Sequence, residues 1–340
     1  MMTPLAAAWI VSTALSAGLV LLLMPLLRVY ALARPNARSS HEQPTPQGGG
    51  IAVVAAALVT PLATLVMLGA PPAPALYASL AVAVILLAAI GAWDDIRPLP
   101  PGPRLIAQGA CVTLLVVATP LAAPILPEGW PAGIEIAFAV LAGLWFVNLV
   151  NFMDGLDWIT VAQMVPATAA LALFGAAGVI DPLSALVAAS LCGGLVGFAV
   201  FNKPVARLFL GDVGSLPIGL LVAWLLYVLA GQGHLVAALL IPLYSCADAT
   251  ITLVRRLLRR ERIWEAHRTH FYQRATDRGF SAMQVSAHVF AANVALAGLA
   301  AATILAPGAL VQGLALVAGA TIVGLVLIRF AGSPFWRAHA

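Results

Sequence analysis

The sequence predicts an all-α polytopic membrane protein with about eleven transmembrane helices and a candidate active site at the cytoplasmic face. Three observations carry this prediction. Of the 340 residues, 62% are hydrophobic and only 9% are charged, whereas an average soluble domain carries roughly 25% charged residues. Apolar segments of about the spanning length, roughly 20 residues, recur along the chain. The basic residues fall on alternate connections between those segments, as the positive-inside rule requires.

In chain order the candidate spans are about 5–30, 50–69, 75–93, 104–122, 134–152, 159–177, 182–201, 214–231, 234–254, 285–306 and 308–330. The first apolar run, about 25 residues long, suits a spanning helix better than a signal-peptide core of roughly 7–15. Several spans contain Gly or Pro, which membrane helices tolerate. The odd-numbered connections are 31–49, 94–103, 153–158, 202–213 and 255–284, followed by the C-terminal tail. All 17 Lys and Arg lie in these segments or at the helix ends bordering them. Even-numbered connections such as GAPPAPA and TPLAAPILPEGWPAG hold none. This pattern predicts an outside N-terminus and a cytoplasmic C-terminus. The chain reads as one integral membrane domain, 1–340, whose 255–284 segment is a basic cytoplasmic loop. The net charge of +4 is explained by topology, so no nucleic-acid partner is expected. Cys111, Cys192 and Cys246 sit in apolar runs with no spacing for a metal or disulfide framework, and read as small packing residues.

The acids divide unevenly. Glu128, Glu135 and Asp181 belong to the outer side, and the other ten of the 13 lie at or near the cytoplasmic face. Topology does not ask for this, because Asp and Glu contribute little to orientation. They come in compact groups. WDD places Asp94 and Asp95 where the third span ends. NLVNFMDGLD places Asn148, Asn151, Asp154 and Asp157 at the end of the fifth, with 148, 151 and 154 on one helical face. FLGDVGS places Asp212 in a Gly-rich turn entering the eighth. Asp248 lies inside the ninth, ahead of the basic run RRLLRRER.

Carboxylates beside apolar helices are costly unless neutralised. Singly, each group reads equally well as turn and cap residues at a wet interface. Together on one face, they suit a divalent cation such as Mg²⁺, which takes hard oxygen ligands and bridges carboxylates to substrate phosphates. The basic loops suit a phosphate-bearing substrate. Arg38 and His41 in RPNARSSHEQPTPQGGG and Arg268 in AHRTHFYQ are the candidate phosphate contacts. His267 and His270, three apart, could bind a metal, but no third soft ligand is nearby and contact with a diphosphate ranks higher.

Five motifs in order (RPNARSSHEQPTPQGGG, WDD, NLVNFMDGLD, FLGDVGS and AHRTHFYQ) resemble those of the polyprenyl-phosphate N-acetylhexosamine-1-phosphate transferases, from Arg34 to about Gly279. The form AHRTHFYQRA looks most like the bacterial branch that initiates O-antigen or related surface polysaccharide. The resemblance implies transfer of a sugar 1-phosphate from a UDP-sugar to undecaprenyl phosphate, release of UMP, and a need for Mg²⁺, with Mn²⁺ as an alternative. It also implies residence in the bacterial inner (cytoplasmic) membrane and allows a homodimer. By the same resemblance Asp212, with Asp154, matches the metal ligands, and Asp94 and Asp95 match the acidic pair near the lipid phosphate. Asp94 would be the proton acceptor. Asn151, Asp154 and Asp157 match the signature beside the nucleotide and diphosphate. Phe209 resembles the aromatic that stacks on uracil, and Asn202 a uridine contact. His267 and His270 match the catalytic histidine motif only in part.

Three departures bear on the donor. Trp158 stands where the family often has Gly, as a membrane-interface anchor or a change to the sugar pocket. The first cytoplasmic loop has His41 and Gln43 where the peptidoglycan branch has a Lys. The histidine motif is HRTHFYQ rather than a run of adjacent His. The missing Lys weighs against the phospho-MurNAc-pentapeptide donor, and the expected donor is of GlcNAc, FucNAc or QuiNAc type; the histidine motif leaves the choice of donor sugar open, but not the reaction type. A secondary transporter is the rival of another class, but its acids would lie near the bilayer midplane and its chain would show repeats. A catalytically dead scaffold would have lost one of the acidic motifs, and all are present.

Overall fold

The computed structural model describes residues 2–33, 44–69, 74–127, 129–262 and 267–332. Helix α1 (Met2–Tyr30) leads into a short antiparallel hairpin of β1 (Leu32–Ala33) and β2 (Thr45–Pro46), with Leu32 opposite Pro46. There follow α2 (Gly50–Met67), α3 (Pro74–Ile96), α4 (Pro101–Ala118), α5 (Ala132–Phe152), α6 (Ile159–Ala176), α7 (Pro182–Ala199) and α8 (Asp212–Gly231). The chain ends with α9 (Leu235–Leu240), α10 (Leu243–Leu258), α11 (Phe271–Thr276), α12 (Ala282–Leu305) and α13 (Ala309–Ala331). Among the described residues, ten helices are long and apolar enough to cross a membrane: α1 to α8, α12 and α13. The protein is an all-α polytopic membrane protein, with a small hairpin that the sequence pattern did not announce.

The ninth expected span, 234–254, is a broken helix. Alpha9 stops at Leu240 and α10 restarts at Leu243, with Pro242 as its N-cap. Proline has no N–H to donate back along the helix, and its ring crowds the preceding turn. Apolar composition could not reveal this break, because proline is tolerated inside α1, α2, α6 and α8. Alpha10 then carries the chain out of the apolar zone, with Arg255 and Arg256 in its last turn.

Burial sets the order of the helices. Alpha7 and α8 are enclosed along most of their length, while α1, α3, α5 and α13 turn most of their surface outward. With no hydrophobic drive between apolar helices in lipid, close packing and hydrogen bonds must hold them. Ser12 and Ser16 of α1 donate to the Ser190 and Gly194 carbonyls of α7 at 2.5 and 2.8 Å. A Cβ on Gly197 would sit 2.4 Å from the Thr13 carbonyl oxygen. The two backbones therefore cross at a distance only glycine allows.

The odd-numbered connections meet at one end of the bundle. Gly48 and Gly49 donate to the Phe209 carbonyl at 3.1 and 2.9 Å, and Phe209 donates back to Pro46 at 2.8 Å. Trp158 donates to the Asn202 side chain at 2.8 Å, and Ser286 to the Asp157 carbonyl at 2.8 Å. At the other end, Ala123 donates to the Gly231 carbonyl at 3.0 Å and Ile125 to the Glu135 carboxylate at 3.2 Å. Gly197→Val should force α1 off α7 and lower the thermal midpoint of the detergent-purified protein, whereas Gly298→Val on α12, which has open space beside it, should leave it unchanged.

Candidate active site

The site is built on the first turn of α8. A helix start leaves N–H groups without intrahelical partners, and here the partner comes from α3. Asp95 Oδ1 accepts from the Asp212 N–H at 2.9 Å and Oδ2 from the Val213 N–H at 3.1 Å. The negative carboxylate also opposes the positive end of the helix dipole. Gly91, one helical turn earlier, permits the approach: a Cβ there would lie 2.3 Å from the Asp212 carbonyl oxygen. Gln47, just after β2, donates to the Asp95 carbonyl at 2.9 Å. Asp95 is thus a helix cap supplied from another helix.

That cap places its neighbours. Asp94 Oδ1 accepts from the Leu99 N–H at 2.6 Å, and Oδ2 pairs with Arg104 at 2.7 Å. The same Arg104 nitrogen lies 3.5 Å from Asp212 Oδ2. Asn151, on the last turn of α5, donates to Asp212 Oδ1 at 2.7 Å and to the Ser215 hydroxyl at 2.9 Å. Asp212 keeps 28% of its side chain exposed against 9% for Asp94, so Asp212 is the carboxylate open to a ligand. Asp94, Asp95 and Asp212 together outnumber Arg104, which leaves an excess of negative charge at the end of an apolar bundle.

Asp154 lies beyond the end of α5, in a turn, and so does not continue the helical face of Asn148 and Asn151. Its carboxylate accepts from the Thr160 hydroxyl. Burial pushes its pKa up to about 7, with Asp95 and Asp157 adding to the rise and Thr160 opposing it. Asn148 points elsewhere, donating to Gln108 of α4 at 2.7 Å. Asp157 accepts from the Ala206 N–H at 2.9 Å, holding the 202–211 loop. Asn202 accepts from Trp158 and donates to the Leu208 carbonyl at 2.9 Å. Both of its polar groups therefore brace the loop that carries Phe209, whose ring is half-buried. Trp158 has φ of +64°, the left-handed region that glycine enters without cost. That explains why a glycine suits this position. The indole, whose Nε1 donates to the Ala199 carbonyl at 2.6 Å, is held by the protein interior.

The histidine segment docks through Asp248. This fully buried carboxylate accepts from the N–H groups of Phe271 and Tyr272 at 3.0 and 3.1 Å, capping α11, and lies 3.3 Å from His270 Nδ1. His270 is itself buried, with the ring of His267 at 4.8 Å. Tyr272 donates to the Phe152 carbonyl at 3.2 Å, against the turn bearing Asp154. Burial raises the Tyr272 phenol well above its ordinary range, and Asp248 and Asp154 add to that rise, so it stays a donor. Arg268 pairs with Asp277 at 3.2 Å. Arg38 and His41 lie outside the described residues. Sequence reasoning missed Arg104, which it counted only as a topology-setting charge, and also Ser215, Thr160 and Gln47. Ser215 and Gln47 meet partners 64 and 48 residues away; Thr160 and Arg104 meet Asp154 and Asp94 only 6 and 10 residues away, but across a turn that no local pattern announces.

Among the described residues, no three His, Cys, Asp or Glu side chains converge as a closed metal cage. The donor set still fits Mg²⁺. That ion binds through one or two carboxylates and fills its octahedron with water and substrate phosphate oxygens. Asp212, partly exposed and amid surplus negative charge, is the group suited to such a role. Asn202→Ala removes two buried hydrogen bonds and should cost about 2 kcal/mol; a thermal or chemical denaturation series on the purified protein checks it.

Residues 77–230 match the family model described as glycosyl transferase family 4. The chain is 27% identical over 274 residues to a probable undecaprenyl-phosphate N-acetylglucosaminyl 1-phosphate transferase of Bacillus subtilis (strain 168), covering 75% of this chain and 72% of that one. It is 32% identical over 238 residues to a phospho-N-acetylmuramoyl-pentapeptide-transferase of Thermosynechococcus vestitus, covering 63% and 61%. A protein of the same description from Streptococcus mutans is 30% identical over 242 residues, covering 63% and 70%. The chain therefore spans about two thirds of the length of these relatives. With its family motifs carried by a polytopic helical bundle, the chain belongs to glycosyl transferase family 4, the family of the polyprenyl-phosphate N-acetylhexosamine-1-phosphate transferases.

Proposed function

We propose that the protein transfers a sugar 1-phosphate from a UDP-N-acetyl-sugar of GlcNAc, FucNAc or QuiNAc type to undecaprenyl phosphate. The products are undecaprenyl-diphosphate-sugar and UMP, and the step initiates O-antigen or a related envelope polysaccharide. The observation that carries this reading is the cluster of Asp94, Arg104, Asn151 and Asp212 at one end of a membrane bundle. There a soluble donor and a lipid acceptor can meet. That end is the cytoplasmic one in this reading, because the basic connections share it.

A lipid phosphate is already anionic and needs little activation. The barrier lies in bringing two anions together and stabilising charge on the leaving UMP. Mg²⁺, when bound, would supply charge neutralisation at the diphosphate, with Asp212 as its chief protein ligand. Asn151 orients the Asp212 carboxylate through its 2.7 Å hydrogen bond. Arg104, shared between Asp94 and Asp212, is placed to meet a phosphate oxygen when substrate loosens its contact with either carboxylate. Asp94, held by Leu99 and Arg104, can accept a proton from a lipid phosphate that arrives protonated. Asp95 serves by fixing the start of α8. Tyr272 and Asp248 hold His267 and His270 over the turn of Asp154.

A second reading, transfer of phospho-MurNAc-pentapeptide, is favoured by the description borne by two of the relatives above. The donor separates the two. Purified protein, undecaprenyl phosphate and Mg²⁺ should release UMP with UDP-GlcNAc, UDP-FucNAc or UDP-QuiNAc. Release only with UDP-MurNAc-pentapeptide would move the assignment to the second reading, and release with no donor would favour a transporter or scaffold. Asp212→Asn should abolish turnover while leaving the thermal midpoint nearly unchanged, since its side chain bears no cap. Asp95→Asn should lower both, because it weakens the capping of α8 by about 1 kcal/mol. Full turnover in Asp212→Asn would remove Asp212 as the metal ligand.

A further inference from the structure

A polar cavity of about 330 Å³ opens between the end of α10 and the α11 segment. Arg255 and Arg256 in the last turn of α10, with Arg259 at its C-cap, line it with Arg268 and Arg274; the carboxylates of Glu261 and Asp277 share the wall. Five guanidinium groups therefore face two carboxylates. Arg256 is only 8% exposed, and pairs with Glu261 at 2.9 Å and with the Arg262 carbonyl at 2.8 Å. Its Nε is nonetheless buried with no hydrogen-bond partner among the described residues, and so is the Nε of Arg268. A buried charged donor left unpaired is costly. Arg255 lies over the Phe271 ring at 4.6 Å, leaving its donors unspent. Arg259 and the half-buried Arg274 have no acidic partner among the described residues.

None of the residues lining this cavity belongs to the Asp94, Arg104, Asn151, Asp154 and Asp212 cluster, so the cavity lies outside the acidic centre; it adjoins the histidine motif, whose Arg268 and Thr269 turn to this cavity. We propose that it is a binding site for a phosphate ester, separate from the reacting groups. Guanidinium forks match paired phosphate oxygens, and a phosphate would give the orphaned Nε groups an acceptor. The position favours the headgroup of an anionic phospholipid over a soluble phosphate. On the same helix, Val254, Leu257 and Leu258 are 47%, 62% and 79% exposed. A helix with bare leucines beside arginines lies at the boundary between acyl chains and headgroups. There the site would tie α10 and α11 to the membrane surface without entering the transfer chemistry.

The test is native mass spectrometry of the full chain in detergent, titrated with phosphatidylglycerol or phosphatidylcholine. Inorganic phosphate forms a separate competing arm. The readout needs no turnover, so it is independent of the transferase assignment. Wild type should retain phosphatidylglycerol in preference to phosphatidylcholine. Arg259→Gln with Arg274→Gln should weaken that retention about ten-fold or more. Arg97→Gln with Arg260→Gln, which removes the same charge outside the cavity, should not. Displacement by inorganic phosphate would support a site that also takes the free anion; resistance to it would support the headgroup as the ligand. If the first pair does not fold, Arg259→Gln alone, at an exposed position, decides by the same comparison. Equal retention in wild type and cavity variant, or an equal loss in the control pair, would overturn the proposal.

Discussion

The capping of α8 by Asp95 is the contact from which the candidate site follows. A membrane helix cannot leave its first N–H groups bare in an apolar setting. Here two of them are answered by one carboxylate, 117 and 118 residues earlier in the chain. Meeting that need draws the end of α3 against the start of α8. It brings Asp94 beside Asp212, places Arg104 between them, and fastens the hairpin through Gln47. The acidic pair is therefore divided in its work: Asp95 satisfies backbone, and Asp94 faces a cation.

The same economy recurs in the histidine segment. Asp248 caps α11 as Asp95 caps α8, and the buried His270 completes its contacts. Tyr272 then connects that cap to the turn carrying Asp154. Two helix starts, each answered by an aspartate from another helix, hold the polar end of the bundle in register. Asn202 and Asp157 brace the loop between α7 and α8 in the same way. These residues position the other polar groups at that end, and their geometry explains motif residues that would otherwise all be read as reactants.

The arginines divide similarly. Arg104 works inside the acidic cluster, where its charge is shared by two carboxylates. Those at the end of α10 gather around a separate cavity in which cations outnumber anions. A basic segment can therefore set topology, bind a surface anion and carry a docking helix at once. Summed charge along the chain does not separate these roles; the direction in which each guanidinium points does.

The sequence by itself determined the architecture. Segment length and the sorting of basic residues onto alternate connections depend on bilayer thickness and on charge transfer across it, and both are read locally. The same holds for the gathering of Asp94, Asp154 and Asp212 at one face, and for the family motifs. Tertiary structure decided the rest. The break at Pro242 was hidden because proline inside an apolar run is kinked, broken or absorbed according to its neighbours. The departure of Asp154 from the face of Asn151 depended on where α5 unwinds, and the left-handed backbone of Trp158 on contacts with Asn202 and Ala199. Asp95 as a cap and Arg104 as a bridge rest on contacts between helices. Such contacts leave no period or spacing in the chain, because the geometry that creates them exists only once the helices pack.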